Sequence, residues 1–355
     1  MSDVVVVGAG IVGASVAYHL ARAGAGVTLL DRSLPATGAT GESFGWIGRG
    51  LAGAPPEQLA LRHCVIDDYR RLMDELPHVD VHWSGSLSWS AGQPVDEPGD
   101  GRLVDAVEVG ALEPNLRDVP PHAVFRPDDG SVDPVALTEA LLHGAREHGA
   151  DVRLGALVAG LEVRSGRVTG VRTSTDHLTA EAVVLAAGAD TAVLCSTLGV
   201  GLPVFSSPAI LVRLRGARPG VVRTVVSNDV VEVRQTPDGD LLLALDHEGQ
   251  QSYDALRRAG EQALERMKAS FRGTDDATLV GVTVGARPMP ADGSPVVGPL
   301  PGAAGAYVAV MHSGVTLAPT VGRLAAAELV DGREAAELRD LRPRTSSHEV
   351  AAVQR

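Results

Sequence analysis

The run Asp3-Val-Val-Val-Val7 passes directly into Gly8-Ala9-Gly10-Ile11-Val12-Gly13, and this junction restricts the fold more than any other stretch of the chain. A short apolar run ending in glycine reads as a buried strand, and Ile11, Val12, Val16, Ala17 and Leu20 then recur at helical spacing. Gly24 supplies a helix stop, and Val27 to Leu30 form a second apolar run that ends on Asp31. Residues 3 to 31 therefore predict a βαβ unit with parallel strands, half of a doubly wound sheet. Each glycine has a mechanical reason: Gly8 for the tight turn, Gly10 for backbone approach to a pyrophosphate, Gly13 for close helix-to-strand packing. The helix N-terminus turns its positive dipole end to the phosphates. Asp31 follows Gly13 by 18 residues, near the spacing of an acid that accepts ribose hydroxyls. The neighbouring Arg32 is a further cofactor contact. FAD and NAD both use this turn, which leaves the choice between them open.

Charge narrows the partners. Asp and Glu number 44 against 31 Lys and Arg, a net charge of -13 that repels nucleic acid and anionic membrane surfaces and favours a small-molecule partner. Cys64 and Cys195 are far apart and form no CxxC pattern, so neither a disulfide framework nor a metal site is expected. The first strand begins almost at the initiator Met, and no stretch approaches the roughly 18 apolar residues of a membrane span. These features lead to the expectation of a cytoplasmic protein.

Along the chain, residues 37 to 53 are rich in Gly, Ser and Thr and predict an irregular loop with free amides. A single helix is expected from about Pro56 to Leu76, then short strands at Val79 to Trp83 and Ser86 to Trp89, then a Pro/Gly-rich stretch from Gln93 to Gly101. Asp133 and Pro134 open a helix as N-cap and first helical residue. Strands are expected at 151–154, 158–163, 168–173 and 182–187, followed by β-rich runs at 210–214, 221–226, 230–235 and 241–245. A helix over about Tyr253 to Phe271, a strand over 306–310 and a closing helix over 317–330, ended by Asp331-Gly332, complete the pattern.

The segments Gly285-Ala-Arg287-Pro288, Asp292-Gly293-Ser-Pro295 and His312-Ser313-Gly314-Val315-Thr316, with the early fingerprint and the loop Gly38 to Gly45, resemble the D-amino-acid oxidase superfamily of FAD enzymes. That superfamily includes glycine oxidase, sarcosine oxidase and amino-acid dehydrogenases, and the likeness covers nearly the whole chain. It implies an α/β fold: a Rossmann-type FAD-binding domain with a discontinuous α+β substrate domain built on an antiparallel sheet. The expected division is 1–45, 130–195 and 285–335 for the FAD-binding domain, 46–129 and 196–284 for the substrate domain, and 336–355 as a tail.

The resemblance also implies site residues. Arg287 pairs with a substrate carboxylate, for which a guanidinium fork is suited; the alternative is an ion pair bracing the lobe interface. His312, Ser313 and Gly314, with Val315 and Thr316, line the flavin, where a helix N-terminus stabilises negative charge on its N1 and C2 carbonyl side. The alternative for His312 is a turn histidine satisfied by backbone. Thr40 and Ser43 are candidate donors to the flavin, Phe44 and Trp46 candidate covers of its ring, Val158 an adenine-side contact, and Ala187 and Gly188 part of the cofactor wall. His247 and Tyr253 are tied to no chemistry by their spacing.

Two departures matter. Covalent members carry a flavin-linking cysteine where this chain reads Ala286-Arg287-Pro288, so FAD is expected to be noncovalent. Sarcosine-oxidase-like members use a lysine to promote reaction with oxygen, whereas the single lysine here is Lys268. The expected reaction is oxidation of the carbon–nitrogen bond of an amino acid or secondary amine to an imine, with oxygen or another electron acceptor. A 2-hydroxy-acid dehydrogenase of the same superfamily, an NAD-dependent dehydrogenase and a non-catalytic nucleotide sensor are the rivals.

Overall fold

A computed structural model describes residues 3–90 and 99–344. The all-valine run becomes the strand Asp3–Val7 near the centre of a six-stranded sheet ordered 296–299, 306–310, 182–185, 3–7, 26–31, 151–154. Its pairings are parallel except at the edge, where Val296–Pro299 runs antiparallel. Val4 to Val7 are all buried, as a strand covered on both faces requires.

Helices Ile11–Arg22, Pro134–Glu147 and Gly314–Asp331 pack on this sheet through small residues. The last of these contains Pro319, which has no N–H to give the carbonyl of Val315 one turn earlier. The hydroxyl of Tyr69 donates to that carbonyl at 2.6 Å, while Ser15 donates to the neighbouring Ala318 carbonyl at 2.7 Å. A helix with an internal proline thus keeps its acceptors satisfied in a dry core. Asp133 caps its helix as expected, accepting from the amides of Val135 and Ala136, and Gly332 ends the closing helix in the left-handed conformation.

An eight-stranded sheet forms the second half, in the order 278–290, 204–215, 241–246, 232–235, 225–227, 86–88, 122–126, 102–105. It is antiparallel except for the parallel contact of 225–227 with 86–88. Helix Tyr253–Ser270 covers one face: Ala263, Met267 and Phe271 share a core with Ile210, Val212, Val233 and Leu243. The opposite face turns to the first domain.

Several elements differ from expectation. The helix expected over Pro56 to Leu76 is two, Pro56–His63 and Val65–Glu75, separated at Cys64, whose amide bonds to Leu61 only three residues back. Their residues Leu61, Val65, Ile66, Tyr69 and Leu72 lie in the core of the Rossmann-type half, whereas the expected division puts 46–129 in the substrate domain. Amphipathic residues lead to that placement, because the apolar side of Val65–Glu75 meets the closing helix, where Asp68 holds Arg323 in a fork of 2.7 and 2.9 Å. The strand expected at 221–226 is only Val225–Ser227; the amides of Val221 and Val222 bond instead to Gln235. Strand Thr278–Pro290 runs unbroken across the expected division at 285. In the expected tail, Leu338 and Leu341 are buried and Arg342 is held by Glu328, while residues 345–355 and most of the Pro/Gly-rich stretch, 91–98, lie outside the described residues.

Candidate active site

A cavity of about 1100 Å³ opens along the carboxyl ends of strands Asp3–Val7 and Gly26–Asp31 and continues to the open face of the eight-stranded sheet. It exceeds the roughly 300–1,000 Å³ of ordinary ligand pockets, which leaves room for a dinucleotide and a second small molecule.

The glycine turn forms the wall at one end. Gly8 has φ 112°, and a Cβ there would strike the carbonyl oxygen of Ala186. A Cβ on Gly13 would strike the carbonyl oxygen of Gly8; this residue sits behind the wall, where it permits helix and strand to touch. Gly10 faces the cavity, and the nearest atom to an added Cβ would be Thr40 Oγ1 at 3.2 Å. The cradle therefore fits a pyrophosphate at the helix N-terminus, with Ile11 and Val12 beside it.

Asp31 receives the amides of Ala9 at 2.6 Å and Ser33 at 2.7 Å, which holds its carboxylate at the strand end. A carboxylate offers about four acceptor sites, so hydroxyls of a ribose can still be accepted. Arg32 pairs with Asp190 at 2.7 Å across the mouth, near Val158, Ala187 and Gly188, which also line the cavity. Thr40 accepts from the amide of Ile11 at 3.1 Å, so it braces the turn, and Ser43 lines the wall. Phe44 and Trp46 line it too. The Phe44 carbonyl accepts from buried Arg234, whose guanidinium also lies 5.6 Å from the Phe44 ring centroid.

At the middle of the cavity, helix Gly314–Asp331 begins with no side-chain cap at Ser313, and residues 311 to 316 line the wall. Its first-turn amides and dipole end face the space where an anion or a charge-accumulating ring would sit. The hydroxyl of Thr316 is engaged elsewhere, donating to the Trp46 carbonyl at 2.9 Å. Burial lowers the pKa of His312, and Arg287 and Arg62 push it the same way, so its imidazole is neutral at pH 7.

Arg287 lies on the open face of strand Thr278–Pro290, opposite Ser207 in register. Its guanidinium donates to Ser207 Oγ at 3.1 Å and to the carbonyls of Pro208 at 3.3 Å and Ser207 at 3.4 Å. These acceptors are neutral, and among the described residues Arg287 forms no ion pair, contrary to a bracing role. Lys268, Cys64, Cys195, His247 and Tyr253 do not line the cavity.

Charged wall residues that the sequence does not single out include Arg62, Arg126, Asp129, Asp190 and Glu232. Asp129 stands immediately before the short strand Gly130–Val132. Its Oδ2 accepts from Ser86 at 2.7 Å and Trp46 at 3.0 Å, while buried Oδ1 faces Gly48 without a hydrogen-bond partner. Burial raises the Asp129 pKa to about 6. The folded protein therefore holds this proton more tightly than the unfolded chain, and its contribution to stability falls as pH rises from about 4 to about 6. Asp129→Asn is expected to flatten that decline and to stabilise the protein at pH 8 by on the order of 2 kcal/mol, measured by urea unfolding across pH. A slope retained in the variant would assign it to other groups. Glu232 lies between Val231 and Val233, both in the core under helix Tyr253–Ser270, and so stands on the opposite face of the sheet.

No helix among the described residues is long and apolar enough to cross a membrane. The model of the FAD dependent oxidoreductase family matches residues 3–328. An uncharacterized oxidoreductase of Bacillus subtilis, YurR, is 31% identical over 94% of this chain and 96% of its own length. Glycine oxidase of Pseudomonas putida is 29% identical over 89% and 91%. The crystal structure of iminodiacetate oxidase from a Chelativorans species superposes with a TM-score of 0.83 at 26% identity, covering 96% of this chain and 98% of that one. With its glycine turn and uncapped helix start on one cavity, the chain belongs to the family of FAD dependent oxidoreductases.

Proposed function

We propose that the protein oxidises the carbon–nitrogen bond of an amino acid or secondary amine to an imine, which water then hydrolyses. The observation that carries this reading is Arg287, a guanidinium with only neutral partners, facing the same cavity as the glycine turn and the uncapped helix. The names of the relatives, glycine oxidase and iminodiacetate oxidase, agree with a substrate bearing an amine and a carboxylate.

Bound FAD supplies the acceptor for the hydride that leaves the α-carbon. The chain's residues do the rest. Arg287 takes the carboxylate and fixes the substrate's orientation. The amides at Gly314 and Val315 stabilise negative charge, and neutral His312 forms the adjoining wall without adding a competing cation. A neutral amine leaves as the iminium cation once hydride departs, so no side chain has to act as base. The eight-stranded sheet closes the far side and limits water.

The division into a cofactor domain and a substrate domain, the noncovalent hold on FAD and a cytoplasmic location are part of the same proposal. Anaerobic mixing of the purified flavoprotein with amino acids, secondary amines and 2-hydroxy acids tests the reading: amino acids or amines are expected to bleach the flavin. Bleaching by hydroxy acids alone would overturn it. Admitting oxygen afterwards separates the acceptor classes, since rapid return of colour marks an oxidase.

A further inference from the structure

The substrate half of the cavity carries a second charge that the carboxylate contact does not use. Glu232 pairs in register with Ser227 on one side, and its strand neighbour Val233 is opposite Leu243. Val233 and Leu243 point into the core beneath helix Tyr253–Ser270, so Glu232 and Ala244 point the other way and line the cavity with Leu211 and Arg287. Three antiparallel pairings bring the strands of Glu232 and Arg287 into one sheet, and the Arg287 guanidinium acts on the Glu232 carboxylate electrostatically. The two nevertheless form no ion pair: Arg287 is held by Ser207 and Pro208, and among the described residues Glu232 receives only a long bond of 3.4 Å from Ser227.

A carboxylate buried in a cavity wall with no cation in contact is costly to ionise, because the distant Arg287 offsets only part of its lost hydration, and a cationic group of a ligand would supply the missing partner. Burial, helped by Asp246, raises the carboxyl pKa of Glu232, so the empty arrangement disfavours its charge. A bound cation would reverse that effect. The strand neighbours of Glu232 on this face, Ala244 and then Leu211, with Ala209 on the same strand as Leu211, are small or apolar, which suits a short methylene chain.

We propose that the substrate is a basic amino acid, its carboxylate on Arg287 and a second, cationic nitrogen at the end of its side chain on Glu232. This deepens the amine-oxidation reading and rests on it. Glu232 is then a specificity residue, and the reacting α-amine stays free to bind neutral.

The test compares ornithine, norvaline and glutamate, as both enantiomers, for anaerobic flavin bleaching of the holoenzyme. Ornithine and norvaline differ at the terminal ammonium. Ornithine is expected to exceed norvaline in kcat/KM by at least about tenfold, the worth of one charge-assisted contact. Glu232→Gln should collapse that ratio, and Glu232→Lys should reverse the preference toward glutamate, with retained flavin absorbance as the check on folding. A binding measurement independent of turnover uses calorimetry of 5-aminovalerate against valerate, where the wild type should favour the former and Glu232→Gln should not. Norvaline or glutamate equal to ornithine in the wild type would overturn the inference while leaving amine oxidation standing. An equal loss for all three in Glu232→Gln would overturn it too. If no amine bleaches the flavin, the oxidation reading fails and the inference falls with it.

Discussion

Replacing Arg287 by alanine is expected to raise the KM for a carboxylate-bearing substrate about 100-fold, some 3 kcal/mol, with flavin content unchanged. The reasoning starts from the partners seen. Ser207 and Pro208 offer neutral oxygens that orient the guanidinium without neutralising it, so its charge is left for a ligand. Truncation removes that charge from a partly buried wall, where water replaces it poorly. Arg287→Lys should recover only part of the loss, because an ammonium cannot make the parallel pair of bonds a guanidinium makes to a carboxylate. An amine without a carboxylate serves as the internal control: its KM should change far less than that of its amino-acid counterpart. Equal effects on both would show that Arg287 supports the strand rather than the substrate, and unchanged kinetics would remove it from the site.

The second large effect concerns the turn. Gly8→Ala or Gly13→Ala is expected to yield protein that purifies without flavin colour and is destabilised by about 2–4 kcal/mol. In each case the new methyl meets a backbone carbonyl, that of Ala186 or of Gly8, and neither can withdraw without moving the strand. Gly10→Ala behaves differently. The nearest atom to its methyl is a threonine hydroxyl at 3.2 Å, so the scaffold should accept it, while the methyl stands where the pyrophosphate must approach. The expected result is a folded protein, by far-ultraviolet dichroism and melting temperature, that loses flavin on dialysis. Full retention of flavin by Gly10→Ala would contradict a close approach at that residue.

These two predictions draw on unequal amounts of sequence information. The turn was readable because its features are local: strand, glycines, helix and acid follow one another within residues 3 to 31, and each has its own spacing. The capped start at Asp133 and the glycine stop at Gly332 were readable for the same reason. The break at Cys64 was not, since residues 56 to 76 keep an apolar period that suits one helix, and what decides otherwise is the fit of two shorter helices against the closing helix. Nor was the length of strand Thr278–Pro290, whose residues alternate between a helix-covered core and a cavity and so show no continuous apolar run.

Arg287 and the His312 to Thr316 segment entered through likeness to a family, and the structure adds their surroundings: neutral oxygens around the arginine, a neutral imidazole, an uncapped helix start. Arg62, Asp129 and Glu232 had no such signal. A lone acidic residue in a β-rich stretch ordinarily faces solvent, and only the pairing of distant strands turns it inward.

The sequence by itself therefore determined the dinucleotide turn and the α/β class, because short-range spacing and glycine sterics leave few alternatives, while the oxidoreductase family followed from the likeness of the segments around Arg287 and His312. Tertiary structure alone decided which charges share the cavity. Glu232 and Arg287 are 55 residues apart in the chain, and they face one space only because strands 204–215 and 241–246 lie between theirs in the sheet, a non-local order that no local pattern encodes.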